Sequence, residues 1–98
     1  MKKKAYTRAI EDFAGVIASS PTDASAHWQR GSAFEKLGYT DEAIKDFSRV
    51  LELDPGHYSA LYARAACYNR KGLFSEAIED YNAALSRDTS KKGGLLGG

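Results

Sequence analysis

Two histidines, His27 and His57, and one cysteine, Cys67, are the side chains of this sequence best suited to hold a metal or to serve as base and nucleophile. Their spacing matches no zinc site, and no glycine-rich phosphate loop follows a strand. Enzymatic work needs a nucleophile with its base, paired carboxylates or converging ligands, and none is in evidence. No catalytic residue, cofactor or metal is therefore expected. His27 reads as a packed structural residue, and Cys67, between Ala66 and Tyr68, as a small apolar filler.

A different chemistry is offered by two stripes of residues. Ser25, Trp28, Ser32 and Glu35 follow at i, i+3, i+7 and i+10, and Ser59, Tyr62, Ala66 and Asn69 repeat the pattern 34 residues later. On helices each stripe would form one face. Trp28 and Tyr62 then stand between the small residues Ser32, Ala63 and Ala66, with Gln29, Glu35, Lys36, Asn69 and Arg70 as polar neighbours. Rigid aromatics flanked by small residues suit anchoring a peptide, because they give contact area at little entropic cost. Packing is the competing role: Trp28 turns inward after a modest helix rotation, and Tyr62 suits the seam between neighbouring units.

The elements that would position these residues are set by an internal repeat. Ala9, Ala43 and Ala77, Ile10, Ile44 and Ile78, Asp12, Asp46 and Asp80, and Phe13, Phe47 and Tyr81 each step by 34 residues. Within the units, Ile10, Phe13 and Ile17, and Ile44, Phe47 and Leu51, have helical spacing. Gly38 and Gly72 suit helix ends, Asp41 and Ser75 suit N-caps, and Pro21 and Pro55 mark turns. Helices are predicted at Thr7–Ser19, Ala24–Leu37, Asp41–Leu53, Tyr58–Lys71 and Ser75–Arg87, with no strands. Asp12 and Arg30 are each nine residues from Pro21, as Asp46 and Arg64 are from Pro55. If the helices flanking each proline are antiparallel, these residues face each other as ion pairs between units.

The unit Ala24–His57, with Gly31, Phe34, Gly38, Ala43, Phe47 and Pro55, resembles a tetratricopeptide repeat, and Tyr58–Lys91 resembles a second one. The resemblance implies an all-α, right-handed superhelical stack of antiparallel helix pairs, a solenoid fragment. The domain would run over 1–90: the second helix of a partial repeat at 1–23, a full repeat at 24–57 and another at 58–90. Residues 91–98 would be a flexible tail. The resemblance also implies a non-catalytic module that binds a protein or peptide segment in a concave groove lined by Ser25, Trp28, Gln29, Ser32, Glu35, Tyr62, Ala66, Asn69 and Arg70. Members that clamp acidic chaperone C-termini use Asn, Lys and Arg where this sequence has Gln29, Ser59 and Ala63, so that clamp is not expected.

Composition narrows the rest. Fourteen basic and thirteen acidic residues leave a charge of +1, which argues against a nucleic-acid partner. No stretch approaches the roughly 18 apolar residues of a membrane helix, and no apolar signal region follows Lys2–Lys4. The unpaired Cys67 agrees with a reducing compartment, hence a cytoplasmic location. Open end helices invite self-association, so the alternative to a peptide binder is a structural segment of a longer solenoid, stacking on its neighbours or on itself.

Overall fold

The computed structural model describes residues 2–91, with side chains from Lys3 to Ser86. Its five helices are α1 (Lys2–Ser19), α2 (Ala24–Leu37), α3 (Thr40–Leu53), α4 (Tyr58–Arg70) and α5 (Phe74–Lys91), and no strand occurs among the described residues. Each helix packs on the next in the chain. The expected tail lies outside the described residues apart from Lys91, where α5 ends.

α1 starts five residues before the expected Thr7, because its opening lysines and Ala5 are strong helix formers and nothing interrupts them. α3 and α5 also start one residue early, so Asp41 and Ser75 are not caps. Tyr39 holds the N-cap position of α3 without a side-chain bond, and Asp41 in the first turn complements the helix dipole instead. Side-chain caps serve α2 and α4: the Asp23 carboxylate accepts from the Ala26 N–H at 3.1 Å, and His57 Nδ1 accepts from the Ala60 N–H at 3.0 Å.

Gly38 and Gly72 have φ of 84° and 80°, the left-handed conformation that glycine takes without strain. Paired bonds close each helix end there: Gly38 N–H to Glu35 O and Tyr39 N–H to Phe34 O, then Gly72 N–H to Asn69 O and Leu73 N–H to Tyr68 O. These turns fold α2 back on α3 and α4 back on α5. The α2–α3 approach is so close that a Cβ on Gly31 would lie 2.9 Å from the Phe47 ring, which explains a glycine inside a helix. Ala43, Phe47 and Cys67 are fully buried at the centre, with Trp28, Phe34, Ile44 and Ala63 packed around them.

The ion pairs differ from those expected. Arg30 pairs with Asp46 through two bonds of 2.8 Å, and Arg64 pairs with Asp80 through bonds of 2.7 and 2.8 Å. Asp46 does not meet Arg64, and Asp12 is exposed. The rule that residues equidistant from a turn face each other holds, but at the glycine hairpins: Arg30 and Asp46 are each eight residues from Gly38, and Arg64 and Asp80 each eight from Gly72. Each pair therefore locks the two helices of one hairpin. The link between hairpins comes from the remaining guanidinium nitrogen of Arg64, which donates to Ser48 Oγ on α3 at 3.0 Å. Hydrogen bonding to the carboxylates raises the pKa of both guanidinium groups by more than burial lowers it.

Candidate functional site

The expected groove residues lie on α2 and α4, whose C-terminal ends are tied by an ion pair of 3.2 Å between Glu35 and Arg70. Ser25, Gln29, Asn69 and Arg70 are exposed, and Trp28, Ser32, Glu35, Tyr62 and Ala66 are half-buried. Trp28 packs as well as faces out: its ring lies 5.2 Å from Phe47 on α3 and 5.2 Å from His57 at the start of α4. Tyr62 makes the equivalent contact one unit on, 6.1 Å from Tyr81, and meets Tyr58 edge-on at 6.3 Å. Both aromatics are thus held rigidly with part of the ring still accessible. Two site residues, Glu35 and Arg70, neutralise each other.

His27 is 6% exposed, and its Nε2 lies 2.9 Å from the Pro21 carbonyl. A carbonyl only accepts, so Nε2 carries the hydrogen and Nδ1 is left bare, 3.6 Å from Asp46 Oδ1. Leu61 occupies the same place in the next unit, also buried. His27 is therefore a packed position with a polar edge. No cluster of three His, Cys, Asp or Glu residues among the described residues could hold a metal ion.

Burial pushes the Cys67 thiol up from an ordinary 9.0 to about 11; Glu35 adds to the rise and Arg70 opposes it. The folded chain then keeps a proton that the unfolded chain loses, so this contribution to stability is complete below pH 9 and is lost as the pH rises toward 11. Two results are expected. Iodoacetamide at pH 8 leaves Cys67 unmodified unless urea unfolds the chain, and the urea midpoint falls less between pH 9 and 11 in Cys67→Ala than in the parent. Rapid alkylation of the folded chain would contradict both burial and shift.

No described helix is long and apolar enough to cross a membrane. No curated protein sequence matches the chain. Among solved structures, MamA superposes with a TM-score of 0.88 at 26% identity, over 91% of this chain and 52% of that one. MamA from Desulfovibrio magneticus RS-1, at 23% identity and a TM-score of 0.84, covers 89% of this chain and 49% of its own, and shares the fold. The chain thus spans about half the length of these structures. The second tetratricopeptide domain of Spaghetti (RPAP3), bound to the HSP90 peptide SRMEEVD, has a TM-score of 0.79 at 30% identity, covering 82% of this chain and 74% of that one. A tetratricopeptide repeat family model matches residues 3–56 and again 33–91. With its helix pairs stacked in that family's right-handed superhelix, the chain belongs to the tetratricopeptide repeat family.

Proposed function

We propose that this chain is a non-catalytic protein-interaction module of a larger cytoplasmic scaffold or adaptor. It binds a peptide segment along α2 and α4 through Ser25, Trp28, Gln29, Ser32, Glu35, Tyr62, Ala66, Asn69 and Arg70. One observation carries the reading: Trp28 and Tyr62, at matching places 34 residues apart, are braced from behind by Phe47 and Tyr81 and keep part of each ring accessible. Such anchors offer contact area without an ordering cost. The RPAP3 structure supports peptide capture by this fold. The ligand class differs, since Gln29, Ser59 and Ala63 stand where chaperone-binding members place cationic and amide groups, and Arg70 is engaged by Glu35. The groove therefore favours a near-neutral segment with apolar anchors.

Titration against a peptide library tests this. A binding sequence should lose about tenfold in affinity with Tyr62→Ala, as expected of an anchor worth more than 1 kcal/mol, while the acidic peptide SRMEEVD binds neither form. Tight capture of SRMEEVD, or indifference of every ligand to Tyr62, would overturn the assignment. A second reading, a solenoid segment whose activity is stacking on neighbours, draws on α5: Phe74, Ile78 and Leu85 are 60%, 56% and 56% exposed along one stripe.

A further inference from the structure

A second depression of about 200 Å³ lies between α1 and α2, lined by Tyr6, Ala9, Phe13, Gln29, Ser32, Ala33 and Lys36. The internal repeat gives it a meaning. Adding 34 to Ala9, Phe13, Gln29 and Ala33 gives Ala43, Phe47, Ala63 and Cys67, four residues of the central core. There α2 itself supplies the cover: Trp28 and Phe34 pack on that cluster, and Gly31 lies against Phe47. At the α1–α2 depression the wall is the same and the cover is missing, so Phe13 is half-buried where Phe47 is fully buried.

The charges follow the same shift. Asp46 and Asp80 each receive an arginine fork from the helix preceding their own, whereas Asp12, at the matching place on α1, is exposed and enters no ion pair among the described residues. Arg70 receives Glu35 from α2, and its counterpart is Lys36, exposed at the edge of the depression. One face thus presents an apolar seat, a free carboxylate and a free ammonium in the arrangement that α2 satisfies one unit later.

The geometry points to this face as a docking site for an amphipathic helix of a separate polypeptide. Its side chains would copy α2: an aromatic, then an arginine two residues on for Asp12, glycine or alanine next to clear Phe13, a second aromatic three further, and an acid beside it for Lys36. A second copy of this chain is not the occupant. Its helices of that pattern, α2 and α4, are already engaged in their own hairpins, and its accessible stripe on α5 carries large residues where the seat over Phe13 demands a small one. Gln29 and Ser32 also belong to the proposed peptide groove, but Tyr6, Ala9, Asp12 and Phe13 do not, so the two sites can be tested apart.

A capped synthetic peptide with the sequence of Ala24–Leu37 serves as the probe, titrated into the isotope-labelled full chain and followed by amide chemical shifts. A 14-residue helix is marginal in water, so affinity near the millimolar range is expected. The expected shifts centre on Tyr6, Ala9, Phe13, Ala33 and Lys36. Asp12→Ala in the chain, or alanine in place of the peptide's arginine, should each weaken binding about tenfold, the scale of a charge-assisted contact. Asp12 is exposed, so its variant keeps the fold. Shifts confined to Tyr62, Asn69 and α5, indifference to Asp12, or a chain that dimerises through the same face and excludes the peptide would each overturn the proposal.

Discussion

Arg30→Ala should destabilise the chain by about 4 kcal/mol, the scale of breaking a buried ion pair, and by more than Asp46→Ala does. The order follows from burial. The Asp46 side chain is 4% exposed and the Arg30 side chain 25%, so removing arginine strands a charge away from water, while removing aspartate leaves a guanidinium that is partly solvated. Asp46→Ala is therefore placed nearer 2 to 3 kcal/mol, toward the lower end of such losses. Asp12→Ala, on an exposed residue of the same type and repeat position, should stay within about 0.5 kcal/mol. Urea unfolding of the three variants and of the Arg30→Ala/Asp46→Ala double variant gives the comparison. Equal losses at Asp12 and Asp46, or an Arg30→Ala chain as stable as its parent, would show that the fork contributes nothing.

The second large effect is expected at Phe47. Its ring is fully buried against Gly31 and Trp28, and the surrounding helices are held by the Gly38 turn and the Arg30 fork, so the space left by Phe47→Ala cannot close. A loss of about 4 kcal/mol follows from removed contacts plus the remaining cavity. Tyr81 has the same place in the next unit but is 39% exposed, and Tyr81→Ala should cost less than half as much, roughly 1 to 2 kcal/mol. Midpoints from thermal and urea unfolding decide it. Equal costs at both positions would mean that the centre of the stack is no better packed than its end.

These contrasts show what was legible in the sequence. A 34-residue period with apolar residues at helical spacing specifies the number and order of helices, because burial forces amphipathic faces together and glycine at Gly38 and Gly72 fixes where the chain turns. Helix ends were less legible: Asp41 and Ser75 suit an N-cap by type, but the turn backbone places Tyr39 there and draws them into the first turn. The ion pairs needed a choice between two turns. Equidistance from the prolines and from the glycines was equally available, and the tight hairpin at each glycine is the one that aligns its helices. For the candidate groove, spacing placed Trp28 and Tyr62 at matching positions on successive helices, yet the bracing by Phe47 and Tyr81 depends on helix rotation, which periodicity leaves free by tens of degrees.

Arg64 belongs to two hairpins at once, holding Asp80 within its own and Ser48 in the one before. In a linear array of units, the energy shared across a junction decides whether the units melt together or in turn. The junction of α3 with α4 carries such a shared polar contact. At the corresponding junction of α1 with α2, Ala14 stands in place of Ser48 and its side chain offers Arg30 no oxygen. Cooperativity is therefore uneven along the chain: α2 through α5 form one melting unit, and α1 is coupled to it by apolar contact alone.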